Sequence, residues 1–234
     1  MFSPQEAINR LSDKREIFFD EMVDLFRQVM EGKVTPVQLS AILMGLHVKT
    51  ESVSEIAAAA QVMREFSTKV DAGDATNLVD TCGTGGDRSH LINISTLVAL
   101  TLASQGVPVA KHGNRAVSSS SGSADVLEAL GYPLEEDPQK ITARLKGKNF
   151  AFFFAPLYHP AMKHAGPVRK ELGVRTVFNV LGPLANPAAA PVQLMGVYAK
   201  ELLVPMAEVL KLLGLRAALV VHSKEGLDEV SPLA

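Results

Sequence analysis

Four stretches of this 234-residue sequence hold side chains whose types and spacing suit a shared chemistry. The first is residues 80–95, DTCGTGGDRSHLINIS, in which Gly83, Gly85 and Gly86 fall within four positions. Glycines let the backbone take positive φ and come close to a ligand with no Cβ in the way. Their N–H groups, followed by a helix starting near Asn93, would cradle an anion. No Lys-Ser/Thr closes the run, and the glycine spacing is not that of a dinucleotide fingerprint. A turn that only joins strand to helix is the competing reading. The second stretch, residues 111–125, reads KHGNRAVSSSSGSAD. Lys111 and Arg115 supply positive charge, and Ser118 to Ser123 supply hydroxyls, donors that match phosphate oxygens. A solvated serine-rich loop is the plain alternative.

The third stretch, residues 155–173, carries Lys163, His164, Arg169 and Lys170 on one expected helix, with His159 before it. Arginine presents a planar fork to a carboxylate, whereas lysine is a point charge. Some of these cations are expected to be solvated face. His112 and His159 suit acid–base work or metal ligation, although nothing repeats at metal-ligand spacing. The fourth stretch, residues 222–229, ends in the pair Asp228-Glu229. Paired carboxylates in a loop suit Mg²⁺, which takes oxygen ligands and arrives with phosphate. Together the stretches describe a Mg²⁺-polyphosphate site. Cys82, the only cysteine, permits no intrachain disulfide, and a structural role outweighs a nucleophilic one.

Composition narrows the setting. An apolar fraction of 47% builds a proper core, and a net charge of −2 gives no reason to expect nucleic acid or a membrane surface. No run is long enough to span a bilayer and no secretory h-region opens the chain, so a cytoplasmic protein is expected.

The elements that must position these residues change character along the chain. Residues 1–70 read as helices only, with start signals at Ser3-Pro4-Gln5-Glu6, Thr35-Pro36-Val37-Gln38 and Ser52 to Glu55. A helix over 15–31 would place Ile17, Phe18, Met22, Leu25, Phe26 and Val29 on one stripe and stop at Gly32. Four short helices bury limited area among themselves, which marks this segment as a candidate dimer surface. After a linker at 71–76, strands are expected at 77–81, 107–111, 150–154, 192–198 and 217–222. Helices are expected at 93–105, 124–130, 138–145 and 201–213. That alternation predicts an α/β fold: a small N-terminal helical domain and a larger, mostly parallel sheet domain over 77–234. Ligands then collect beyond the carboxyl ends of the strands, at the loops after Asp80, Lys111, Phe154 and His222.

Taken in order, DTCGTGGD, NIST (Asn93–Thr96), KHGNRAVSSSSGSADVLEALG, VRKELGVRTVFNVLGPLANP and HSKEGLDEVSP resemble the anthranilate phosphoribosyltransferase family of tryptophan biosynthesis along the whole chain. The resemblance implies transfer of the phosphoribosyl group of 5-phosphoribosyl-1-pyrophosphate (PRPP) to anthranilate, with release of pyrophosphate. It also implies a homodimer through the helical part, and a hinge within 175–187 that lets part of 170–190 join the helical domain. By motif position, Gly83, Gly86, Asp87, Asn93, Ser95 and Thr96 would hold PRPP, and Lys111, the loop from Gly113 to Ser119, and Ser123 would contact its phosphates. Ser95, Asp228 and Glu229 would ligate Mg²⁺. Gly83, Asn114 and Arg169 would meet anthranilate, on a path past His112, Ala155, Pro156 and His159. Lys111 and Arg169 are the implied catalytic pair. Leu91 departs from the family, standing where a hydroxyl is common. The alternation is still running at Ala234, so an incomplete domain with Leu219 and Val221 uncovered is expected. A pyrimidine nucleoside phosphorylase of similar plan and a non-catalytic nucleic-acid binder are the rival readings. Asp228-Glu229 and the KHGN loop speak against the first, and the net charge speaks against the second.

Overall fold

The computed structural model describes residues 1–73, 76–87, 89, 91–116, 121–134 and 137–233. The chain makes two compact units, residues 1–67 with 159–185, and residues 68–158 with 186–234. The expected shared segment 170–190 thus divides, with 170–185 in the helical unit and 186–190 in the sheet unit.

The helical unit begins with α1 (Pro4–Ser12), α2 (Phe19–Met30), α3 (Pro36–Lys49) and α4 (Val53–Glu65). Ser3, Thr35 and Ser52 each accept the N–H three residues on, while Glu6, Gln38 and Glu55 reach back, so all three capping boxes form. The helix expected over 15–31 is shorter. Phe18 is extended at its N-cap and 66% exposed, because the Glu21 carboxylate takes the Phe18 N–H and fixes the start there. Ile17 is buried although it precedes the helix, since its N–H reaches the buried Glu55 carboxylate at 2.9 Å.

The sheet unit follows with β1 (Val79–Asp80), α5 (Ile94–Ser104), β2 (Val109–Gly113), α6 (Ser123–Ala129), α7 (Pro138–Lys148), β3 (Phe150–Phe154) and the single turn α8 (Ala155–Tyr158). The chain then returns to the helical unit through α9 (Gly166–Leu172) and α10 (Phe178–Leu181). Phe178 packs its ring 5.7 Å from Phe26 of α2. One helix carrying Lys163, His164, Arg169 and Lys170 does not form. A 3₁₀ turn ends at Lys163, and α9 starts afresh at Gly166-Pro167, where proline is accommodated only in a first turn. Back in the sheet unit come β4 (Val192–Gly196), α11 (Leu203–Leu212) and β5 (Ala217–Val221).

Among the described residues the five strands are all parallel, in the order β3-β2-β1-β4-β5. Val109, Phe150 and Phe152 face one core with Ala99, Ala124 and Leu127, while Ala110, Ala151 and Phe153 face another with Ile141, Leu145 and Tyr158. Successive residues of β2 and β3 therefore bury on opposite faces, which is why these strands read as continuous apolar runs. β5 is an edge strand whose Leu219 is 60% exposed, while Val221 is half-buried. β1 is shorter than the expected 77–81, because the Asp80 carboxylate, not a β1 carbonyl, accepts the His112 N–H.

Candidate active site

Strand order reverses at β1, which has β2 on one side and β4 on the other, and a crevice beyond such a reversal is where ligands settle. The glycine run leaves β1 at this place. A Cβ on Gly83 would lie 2.8 Å from the Gly196 carbonyl at the end of β4, and one on Gly196 only 1.6 Å from the Asp228 carbonyl. Three backbones are stacked there with no room for side chains. Thr84 locks the stack, donating its N–H to Gly196 O at 2.9 Å and accepting the Tyr198 N–H at 3.0 Å. Gly85 and Gly86 then take φ of 61° and 89°, the left-handed region that glycine enters freely.

Beside this loop Lys111 projects from β2 and is only 1% exposed. Its ammonium donates to Thr81 Oγ1 at 3.2 Å and to Ser95 Oγ at 3.1 Å. Burial pulls its pKa below the ordinary lysine range, and the neighbouring Cys82, Asp80 and Glu229 act the other way. Asp80, at the end of β1, is equally buried. It accepts N–H groups from Cys82 at 3.0 Å and His112 at 3.1 Å, and the Asn186 amide at 2.8 Å. Burial pushes its carboxyl up to about 6 against those hydrogen bonds and Lys111. Cys82 is desolvated next to Asp80 and its thiol is pushed up to about 12, so it is no thiolate nucleophile at neutral pH.

The acidic pair closes the site from the loop after β5. Burial, then the Asp87 carboxylate, pushes Asp228 up to about 6. Burial, then Asp228, pushes Glu229 up to about 7, with Lys111 and the Ser95 backbone N–H acting the other way. Burial works to raise Asp87 too, but hydrogen bonds from Ser89 and from the Asp228 backbone hold it low. Half-buried carboxylates crowded in this way call for a cation. Their oxygens are hard donors, which fits Mg²⁺. Among the described residues no three His, Cys, Asp or Glu side chains lie close enough to hold a metal alone.

The other expected residues divide. Asn93 caps α5, accepting the Thr96 N–H at 3.2 Å and the Thr96 hydroxyl at 2.5 Å, so the fully buried Thr96 serves the cap. Ser123 reaches Asn93 Oδ1 at 3.5 Å, which brings the starts of α5 and α6 together. Exposed Asn114 follows β2, and Ser119 lies outside the described residues. The Arg115 guanidinium pairs with Asp125 at 2.9 Å and Glu128 at 2.6 Å. His112 is buried within β2. In the helical unit, His159 is buried, and His164 packs against Gly32. Arg169 lies 5.1 Å over the Phe178 ring, its pKa lowered by burial, with no carboxylate partner among the described residues. Sequence reading passed over Thr81, Gln193, Gly196 and Asn186. Gln193 donates to the Cys82 carbonyl at 3.1 Å, and only the single Asn-Pro step at 186–187 hinted at Asn186.

Comparison with known proteins agrees with this geometry. Residues 5–67 match the helical bundle domain of the glycosyl transferase family, and residues 75–234 match its a/b domain. Anthranilate phosphoribosyltransferase of Chromobacterium violaceum is 58% identical over 99% of this chain and 68% of its own length. That of Laribacter hongkongensis is 57% identical over 99% and 68%. The crystal structure of the Thermus thermophilus enzyme superposes with a TM-score of 0.88 at 45% identity, covering 96% of this chain and 67% of that one. The Saccharomyces cerevisiae enzyme in complex with PRPP and Mg gives 0.81 at 30% identity, covering 99% and 64%. The chain spans about two thirds of the length of these relatives.

Proposed function

The chain belongs to the anthranilate phosphoribosyltransferase family, transferases that carry the phosphoribosyl group of PRPP to the amine of anthranilate, and we propose that the site beyond the carboxyl end of its sheet performs that transfer. The observation that carries the reading is Lys111, a fully buried ammonium whose hydrogen-bond partners among the described residues are the Thr81 and Ser95 hydroxyls, beside a positive-φ glycine run and a pair of carboxylates. A buried cation, a glycine run and a pair of carboxylates suited to Mg²⁺ together match a pyrophosphate.

Asp228 and Glu229, with the Ser95 hydroxyl, would hold Mg²⁺, supported by the yeast relative's complex with PRPP and Mg and by the crowding of the carboxylates. Bound there, Mg²⁺ neutralises charge on the departing pyrophosphate. Lys111 and the N–H groups of the glycine run stabilise the same charge from the protein side as the ribose becomes oxocarbenium-like. Gly83, Gly86, Asp87, Asn93 and Ser123 surround the PRPP. The nucleophile is an aromatic amine, mostly neutral at pH 7, so positioning matters more than a strong base. No protein residue forms a covalent bond in this scheme. Arg169 is assigned to the anthranilate carboxylate by its place in VRKELG, and its burial without an acidic partner supports the assignment. Gly83, Asn114, His112 and His159 accompany it by the same motif positions.

A homodimer through the helical unit is part of the proposal. α3 is apolar on both sides: Leu39, Ile42, Leu43 and Leu46 are buried, while Val37, Ala41, Met44 and Val48 form a second, outward stripe. Val37 is 80% and Val48 62% exposed, and a second apolar stripe on a helix calls for a second cover. Among the described residues no helix is long and apolar enough to cross a membrane, and a biosynthetic role fits the cytoplasm. Loss of anthranilate fluorescence with PRPP and Mg²⁺, measured on a full-length protein carrying this sequence, tests the function. Turnover that needs all three components is expected. Phosphorolysis of pyrimidine nucleosides with no such turnover would overturn the reading.

A further inference from the structure

Three features compete once the proposed site is set aside. A half-open apolar cavity of about 490 Å³ lies among Leu127, Leu130, Tyr132, Pro133 and Phe150, but its Arg144 already stacks on Tyr132 and no occupant is indicated. Glu55 is fully buried, but Lys49 and the Ile17 and Ser52 N–H groups account for it. The third is the pair formed by Asp80 and Asn186, which the catalytic scheme leaves unused.

Asp80 touches neither substrate nor metal in that scheme, yet it joins three segments at the carboxyl end of the sheet. One carboxylate oxygen accepts the Cys82 N–H, where the glycine run begins, and the His112 N–H, next to Lys111. The other accepts the Asn186 amide at 2.8 Å. Asn186 opens the second stretch of the sheet unit, where the chain comes back from the helical one. Its amide also donates to the Ala110 carbonyl at 2.8 Å, on the other side of Lys111, and its oxygen accepts the Ala188 N–H at 2.9 Å. Lys111 is thereby held through the backbone on both flanks by one carboxylate–amide pair. A strand could be kept in register by an apolar contact at lower desolvation cost, so a buried carboxylate here points to a task beyond packing.

We propose that Asp80 and Asn186 are positioning residues for phosphoribosyl transfer, together fixing the start of the glycine run and the place of the Lys111 ammonium. The inference rests on the proposed function and deepens it. The charged and titratable groups around the pair are Lys111 and His112 from β2 and Cys82 from the glycine run. The hydrogen bonds on both flanks of Lys111 keep its ammonium in reach of a pyrophosphate.

The test uses a full-length protein carrying this sequence, with Mg²⁺, reading PRPP binding by calorimetry, kcat, and both KM values. Asp80→Asn keeps the shape but faces Asn186 with a second amide donor, and Asn186→Ser removes the donor without touching the buried charge. Each is expected to weaken PRPP binding at least tenfold and lower kcat, leaving KM for anthranilate within about twofold. The exchange Asp80→Asn with Asn186→Asp restores an amide–carboxylate pair and should recover part of the loss, a coupling that simple destabilisation does not produce. Wild-type PRPP affinity and kcat in the single variants overturns the proposal, as do losses that add without coupling. If Asp80→Asn does not fold, Asn186→Ser decides alone by the same two readouts. A wild-type chain that binds no PRPP would instead overturn the functional reading, and this proposal with it.

Discussion

Lys111 and Asp80 show how single residues are held here at a cost to the fold. Each is buried at 1% exposure, and each has its ionisation displaced in the direction burial dictates. Replacing Lys111 by Met fills the same space without the charge. Turnover should fall by roughly 100-fold or more, the scale of losing one preorganised charge-stabilising group, while thermal unfolding stays unchanged or improves. Steady-state kinetics beside calorimetry checks both halves. The Asp80 carboxyl stands at about 6 in the folded chain against an ordinary 3.8. Between those values the folded chain binds more protons than the unfolded one, so this group's stability contribution falls as pH rises through the window and the cost is complete above about pH 6. Asp80→Asn does not titrate. Its stability relative to wild type should therefore improve from pH 4 to 7 by an amount on the order of 2–3 kcal/mol, read by urea unfolding at each pH.

Among the elements, the helix starts and the crossing of backbones at Gly196 respond differently to change. Ser52→Ala removes a cap from α4 and should cost about 1 kcal/mol. Glu55 closes the same capping box but is fully buried, and it also holds the Lys49 ammonium and the N–H that precedes α2. Glu55→Ala strands a nearly buried lysine, so about 3 kcal/mol or more should be lost, and chemical denaturation of the two variants side by side reads the difference. Gly196→Ala would drive a Cβ to 1.6 Å from the Asp228 carbonyl, which must displace the loop bearing Asp228 and Glu229. Mg²⁺-dependent PRPP binding should vanish in that variant. Gly147→Ala, in open space within α7, should instead stabilise the chain by up to about 1 kcal/mol.

For the whole molecule, the question is which surfaces are covered in solution. The outward stripe of α3 is the proposed dimer contact, and a charge placed in it has no counterpart in a symmetric interface. Val37→Lys is exposed enough to leave the fold intact, so it should turn a dimer into a monomer by sedimentation with little change in the far-ultraviolet spectrum. A wild-type chain that sediments as a monomer at all concentrations would remove this part of the proposal.

Much of this protein was written in local sequence. Three capping boxes, the parallel α/β alternation and the loops at strand ends all depend on residues a few positions apart, where propensity and hydrogen-bonding distance leave few alternatives. The family followed from ordered motifs, each readable in one stretch. Boundaries were less legible where a side chain from far along the chain intervenes: Glu55 buries Ile17 ahead of α2, and the Asp80 carboxylate takes the His112 N–H that bounds β1. The same limit explains the site. Arg115 looked like an anion ligand beside Lys111, but Asp125 and Glu128 come round on α6 to neutralise it. Asp80 meets Asn186, which is 106 residues away, and Gly83 meets Gly196 only because β1 and β4 are neighbours in the sheet. Contacts of that kind are set by strand order, and strand order is decided when the separate apolar faces are packed together rather than by any one segment.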